Sequence, residues 1–273
     1  MPTARVDIGE LSLNLRWAGA EDPGAPVLVF VNGLLTDLSS WTAHLEHFGD
    51  YRCLVYDCRG QGASDKPEAE AYAVADHGRD LGALLDALGL DEVSIIGLSN
   101  GGAAALHLAA AQPERVRALV VSGAYARVDT ILRVKLRAWI AAMAAGGGPL
   151  RFDVATPWVW GPEFLARNWE SLLGYRDKAM ALDLDAARRL IAGAMIHDLD
   201  DAALAKIRAR TLISVGEHDL LTPPWDARAM AAAIPNAKLE RHPGLGHAAA
   251  LEDVPGFCEI ARAFLAGSHL ELR

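Results

Sequence analysis

Short apolar runs alternate along this chain with longer stretches in which apolar residues recur at helical spacing. Residues 11–17, Leu-Ser-Leu-Asn-Leu-Arg-Trp, alternate with period two and predict an antiparallel edge strand. Residues 26–31 are continuously apolar after Pro26, as expected of a strand buried on both faces, and residues 51–56 predict a second. Between them, Ser39 and Ser40 offer caps for a helix reaching His47. Residues 76–88 place Leu81, Leu84, Leu85 and Leu88 on one helical face. Residues 93–96 predict a buried strand, and residues 102–111 a helix that stops before Pro113. Further strands are predicted at 116–121, 210–215 and 238–242, and further helices at 224–234 and 254–266. Buried strands alternating with helices imply right-handed crossovers and a mostly parallel central sheet flanked by helices, the α/β class.

Residues 128–206 break this rhythm. They are helix-rich, interrupted by Gly146-Gly147-Gly148-Pro149, and carry Trp139, Trp158, Trp160 and Trp169, four of the chain's seven tryptophans. Because the strand pattern resumes afterwards, 128–206 is expected to be a helical cap inserted into a core formed by 1–127 and 207–273.

Composition narrows the possible functions. A chain of 273 residues with 52% apolar content has ample material for a packed core. The net charge of −9 argues against general binding to nucleic acid or to an anionic membrane surface, since both need clustered basic residues. No uncharged apolar run is long enough to span a bilayer. Residues 1–7 lack the apolar core of a secretory signal, so a cytoplasmic location is expected. The three cysteines, Cys53, Cys58 and Cys258, are odd in number and lack metal-ligand spacing, which fits reduced thiols. Cys58 reads as a small buried hydrophobe.

The candidate chemistry centres on Gly97-Leu98-Ser99-Asn100-Gly101, which joins the 93–96 strand to the helix after it. A serine on so sharp a turn needs neighbours without Cβ, and its hydroxyl then stands at the strand's C-terminal end beside a helix N-terminus. A serine hydroxyl needs a base within hydrogen-bond reach and a group to orient that base. Two further strands end in polar loops, Gly216-Glu217-His218-Asp219 and, after His242, Gly246-His247. Such loops lie where ligands bind in open α/β sheets. Glu217 competes with Asp219 for the acid, and His242 with His247 for the base. His242 falls on a predicted strand and reads better as a packed side chain, and no third ligand turns the histidine pair into a metal site.

With the order Ser99, Asp219, His247, the chain resembles an α/β-hydrolase-fold serine hydrolase over nearly its whole length. The resemblance rests on Val31-Asn32-Gly33-Leu34, on Tyr56-Asp57-Cys58-Arg59-Gly60-Gln61-Gly62-Ala63-Ser64, and on the three segments just quoted. It implies Asp219 as the acid, His247 as the base, and the backbone amides of Leu34 and Asn100 as the oxyanion donors. Most relatives carry His-Gly where this chain has Asn32-Gly33, and many place methionine at the position of Asn100. Asn32 can brace its loop, or stand beside Trp139, Trp158 and Trp160 as a substrate contact; Asn100 can reach either substrate or a neighbouring loop. The Gly-rich segment 57–65 lacks the residues of a phosphate cradle and reads as structural, braced by Asp57 and Arg59.

The resemblance implies hydrolysis of a small carboxylic ester, lactone or thioester through an acyl-serine, with no metal and no organic cofactor. Two alternatives stand beside it: acyl transfer of the 3-hydroxyacyl type on the same fold, suggested by Val31-Asn32-Gly33 and Asp226-Ala227-Arg228, and a catalytically silent ligand receptor.

Overall fold

A computed structural model describes residues 3–267. Its eight strands are β1 (Ala4–Asp7), β2 (Ser12–Gly19), β3 (Val27–Val31), β4 (Arg52–Tyr56), β5 (Val93–Leu98), β6 (Val116–Ser122), β7 (Arg210–Gly216) and β8 (Ala237–His242). They form one sheet in the order β1-β2-β4-β3-β5-β6-β7-β8. Pairing is parallel from β4 to β8, and antiparallel between β1 and β2 and between β2 and β4. The predicted strand at 11–17 is therefore antiparallel but is not the edge. β1 lies outside it, and its four residues, mostly exposed, are too short and too polar to carry a period-two signal.

Alternate residues of the buried strands feed two apolar layers, as a pleated sheet covered on both faces requires. Val29, Val31, Ile95, Ile213 and Val215 face a layer closed by Leu81, Leu84 and Leu85 of the Val74–Ala87 helix and by Leu106 and Leu108 of the Asn100–Ala111 helix. Leu28, Phe30, Ile96 and Leu212 face the other side, where Trp41 and Phe48 meet Phe257, Cys258 and Phe264 of the Val254–Leu265 helix. The short helix Leu38–Trp41 is capped by Asp37, whose carboxylate accepts the Ser39 N–H at 2.8 Å. Ser39 and Ser40 are thus not its caps: Ser39 stands inside the first turn, where its amide is one of the orphan donors being capped.

Between β6 and β7 the chain leaves the sheet for three long helices, Thr130–Val159, Pro162–Lys178 and Leu184–Met195. The first is two arms meeting at Gly146 and Gly147, which depart from helical geometry, as the glycine run predicts. Leu132, Leu136, Trp139, Met143 and Ala155 pack downward onto Val74, Ala103, Ala104 and Tyr125 of the sheet domain, with Leu34, Leu35 and Leu221 at the rim. The helices thus cover the carboxyl ends of β3, β5 and β6. Among the described residues no helix is long and apolar enough to cross a membrane.

Candidate active site

β3 leads on to β4 on one side, while β5 returns to its other side. This reversal opens a crevice at the strands' carboxyl ends, and Leu34 and Ser99 follow the two strands that flank it. Ser99 has φ 52° and ψ −119°. A left-handed φ on a serine costs about 1–3 kcal/mol and persists only where its surroundings over-determine it. Here the Ser99 N–H donates to the Ser122 carbonyl at 2.7 Å, and the Ser99 carbonyl accepts the Ala103 N–H at 3.0 Å. A Cβ on Gly97 would stand 2.7 Å from the Gly102 Cα, and one on Gly101 would strike the carbonyls of Val31 and Asn32. The glycines let the helix close on β3 and β5, and that closure holds the serine in place.

His247 Nε2 lies 2.9 Å from Ser99 Oγ, and its Nδ1 lies 2.9 Å from Asp219 Oδ2. The three residues are only 7, 5 and 1% exposed, respectively for Ser99, His247 and Asp219. With Nδ1–H donated to Asp219, the hydrogen-bond network assigns the tautomer that offers Nε2 as a lone pair to the serine hydroxyl. Asp219 Oδ1 accepts the Leu221 and Thr222 N–H groups at 2.8 Å each. The Thr222 hydroxyl stands 3.0 Å from both Asp219 Oδ2 and His247 Nδ1, and 2.9 Å from the Gly123 carbonyl.

The competing residues lie elsewhere. Glu217 is exposed, accepts the Gly244 N–H at 3.2 Å and pairs with Arg241 at 3.6 Å. His218 is exposed on the same turn. His242 ends β8 buried, with Nε2 2.7 Å from Ser214 Oγ and its ring against Phe257; burial lowers its pKa.

Leu34 is the third residue of the loop after β3, and Leu35 takes φ 61°. Gln61 Nε2 and Thr36 Oγ1 both donate to the Gly33 carbonyl, at 2.6 and 3.0 Å. Asn100 opens a helix, where amides lack intrahelical acceptors. Among the described residues neither the Leu34 nor the Asn100 N–H donates to another group. Asn32 takes the bracing role and not the substrate contact: it is 1% exposed, its Nδ2 donates to the Tyr56 carbonyl at 3.0 Å, and its Oδ1 accepts Trp41 Nε1–H at 2.9 Å. Both ends of the amide are thus engaged in the core. The Asn100 side chain turns to the loop after β6, where its Oδ1 accepts the Tyr125 hydroxyl at 2.9 Å. Trp139 is buried among the covering helices, Trp158 is half-buried against the same cluster, and Trp160 stacks on Phe164 at 5.2 Å.

The 57–65 loop is held as a structural loop would be. Asp57 accepts from Asn14 Nδ2, Leu38 N–H and Ala63 N–H at 2.7–2.9 Å, and Arg59 grips Asp80 with two bonds of 2.5 Å. Burial pushes the Cys58 thiol up to about 12, so it stays a neutral side chain.

Sequence reasoning missed Tyr125, Thr222 and Glu252. Glu252 accepts the Gly246 N–H at 3.0 Å and the Gly161 N–H at 3.1 Å, tying the His247 loop to the chain just past Val159. Gly246 lies six residues before it but Gly161 lies 91 residues away, and a link of that range leaves no local signal. Thr222 follows Asp219 by three residues, a spacing at which short polar side chains cap a turn, and that signal was available.

Asp226 is half-buried near Asp129 and Asp219, and burial, reinforced by those carboxylates, raises its pKa to about 6. The folded chain therefore holds this proton more tightly than the unfolded chain. The stability it contributes is full below about pH 4 and is lost as pH rises through about 6. Asp226→Asn is expected to stabilise the protein by about 1 kcal/mol more at pH 7.5 than at pH 4, the figure being reduced for solvent screening at a half-exposed site. Urea unfolding at the two pH values measures this, and an equal effect at both would contradict the assignment.

The family model described as the alpha/beta hydrolase fold matches residues 26–254, and the chain belongs to that family. Among curated relatives, a protein of Caulobacter vibrioides named as a carbamate hydrolase, RutD, is 27% identical over 271 residues, covering 97% of this chain and 99% of the relative. Among solved structures, the α/β hydrolase MGS-M2 from a Medee basin deep-sea metagenome library superposes with a TM-score of 0.91 at 27% identity, covering 99% of this chain and all (100%) of that one. The enol-lactonase of Burkholderia xenovorans LB400 superposes with a TM-score of 0.85 at 26% identity, covering 97% and 100%.

Proposed function

We propose that this protein is a serine hydrolase that cleaves a small carboxylic ester, lactone or thioester through an acyl-Ser99 intermediate. The observation that carries the reading is the unbroken chain from Ser99 Oγ to His247 to Asp219, each link 2.9 Å, at the switch point of the sheet. Ser99 Oγ attacks the substrate carbonyl carbon while its proton passes to His247 Nε2. The new imidazolium is held by the Asp219 carboxylate, whose other oxygen is fixed by two backbone amides. The oxyanion forms between the free amides of Leu34 and Asn100, each of which supplies on the order of 3 kcal/mol of transition-state stabilisation. Collapse breaks the bond to the leaving group, which takes the proton from His247. Water then adds to the acyl-serine with His247 as base, releasing the acid and restoring Ser99. The helical segment 128–206 acts as a cap whose apolar underside shapes the acyl pocket, with Trp158 at its edge.

The relatives support hydrolysis on this fold. One is named a carbamate hydrolase and one an enol-lactonase, and both reactions add water to an acyl carbon. The test is 4-nitrophenyl esters of graded chain length, followed by product analysis with a 3-hydroxyacyl thioester and a free 3-hydroxy acid supplied together. The expected main product is free acid. Condensed ester as the main product would overturn hydrolysis in favour of acyl transfer, because the pocket would then position an acceptor ahead of water.

A further inference from the structure

Three loops meet at one buried hydroxyl. Gly123 follows β6, Asp219 and Thr222 stand on the loop after β7, and His247 stands on the loop after β8. Thr222 is 1% exposed, and its Oγ1 lies 2.9 Å from the Gly123 carbonyl and 3.0 Å from both Asp219 Oδ2 and His247 Nδ1. Gly123 takes φ 57°, and a Cβ there would stand 2.8 Å from the His247 carbonyl and 3.0 Å from His247 Nδ1. The imidazole therefore rests on bare backbone, with the Thr222 hydroxyl at its Nδ1 edge.

That hydroxyl carries one proton, and the geometry decides where it goes. Thr222 Oγ1, Asp219 Oδ2 and His247 Nδ1 form a triangle with sides of 2.9, 3.0 and 3.0 Å. Seen from Nδ1, the two oxygens are therefore about 60° apart, and a single N–H cannot point at both. The ring proton goes to Asp219 Oδ2, which is the closer and the charged acceptor. Two acceptors then compete for the hydroxyl proton. Donated to the Gly123 carbonyl, it would leave the hydroxyl lone pairs facing an anionic oxygen at 3.0 Å. Donated to Asp219 Oδ2, it makes a charge-assisted bond. In the second arrangement each carboxylate oxygen accepts two bonds: Oδ1 from the Leu221 and Thr222 amides, and Oδ2 from the His247 ring and the Thr222 hydroxyl. Both amides bind Oδ1, and the torsion that swings Oδ2 about the Cβ–Cγ bond is soft. The Thr222 hydroxyl is the group besides the histidine itself that fixes Oδ2.

We propose that Thr222 is a positioning residue: its hydroxyl donates to Asp219 Oδ2 and holds that oxygen on the axis of His247 Nδ1–H, so that the ring keeps the tautomer whose bare Nε2 faces Ser99. The role this serves in turnover rests on the hydrolase reading above.

The test compares Thr222→Val with Thr222→Ser. Valine keeps the branched shape and the backbone N–H that Asp219 Oδ1 accepts, and removes the hydroxyl. Serine keeps the hydroxyl. With a short 4-nitrophenyl ester, kcat is expected to fall about tenfold in Thr222→Val while KM stays within about twofold, because the bond lost acts on the base and not on substrate binding. Thr222→Ser should recover kcat to within about threefold of the native enzyme. In an Asp219→Ala background, Thr222→Val should change the residual rate by less than about twofold, since the carboxylate it acts through is gone. A kcat in Thr222→Val within about threefold of native, a loss that serine does not recover, or the same loss in the Asp219→Ala background would overturn the proposal. If the native protein cleaved no ester, the hydrolase reading would fall, and the positioning would be decided on the ring itself. For that, 15N NMR of His247, assigned by its disappearance in His247→Ala, is recorded with the ring neutral. The Nδ1–H tautomer is expected to dominate in the native protein and in Thr222→Ser, and to mix with the Nε2–H tautomer in Thr222→Val. Equal tautomer populations in the native protein and Thr222→Val would overturn it.

Discussion

Ser99→Ala is expected to lower kcat/KM for a 4-nitrophenyl ester by about four powers of ten or more, leaving only what the oxyanion donors and substrate binding supply. The change removes one oxygen and the bond to His247 Nε2, and leaves the turn as it was. Alanine at φ 52° is strained much as serine is, and the glycine contacts and the Ser99 N–H to Ser122 bond that impose this φ do not involve the hydroxyl. The thermal unfolding midpoint is therefore expected to move by no more than a few degrees, an effect within about 1 kcal/mol. A variant retaining a tenth of the activity would place the nucleophile elsewhere.

His247→Ala is expected to be as damaging as Ser99→Ala, and the double variant hardly worse than either single one. A serine without its base is no nucleophile, and a base without its serine has no proton to take, so the losses do not add. His242→Ala should be mild by comparison. Its ring is engaged with Ser214 and Phe257, so its truncation is read in stability, by about 1–2 kcal/mol, and not in turnover. Steady-state kinetics of the three variants measure the ranking; the reverse ranking would move the base to His242.

Much of this site is legible in the sequence because its key features are local. The elbow is a steric requirement on five consecutive residues, and Gly97 and Gly101 report it wherever they stand between an apolar strand and a helix. The parallel strands are legible because burial on both faces leaves continuous apolar runs, as in Val27–Val31. What stays hidden is held by contacts between distant segments. Asn32 reads equally as brace or substrate contact until Trp41 and Tyr56 are seen bonded to its amide, and Asn100 as substrate or loop contact until the Tyr125 hydroxyl is seen to donate to its Oδ1. Glu252 joins Gly246 to Gly161, which lies 91 residues away, and no periodicity encodes that. The β1 edge escaped for a different reason, since four mostly exposed residues carry too little hydrophobic signal to be read as a strand.

The acyl-serine is the central claim, and covalent labelling tests it most directly. A fluorophosphonate ester mimics the tetrahedral intermediate and reacts with a serine only when a base and oxyanion donors activate that serine together. Peptide mass spectrometry after labelling is expected to place a single phosphonyl group on Ser99, with labelling abolished in Ser99→Ala and strongly slowed in His247→Ala. No adduct, or an adduct on another residue that persists in Ser99→Ala, would contradict the account.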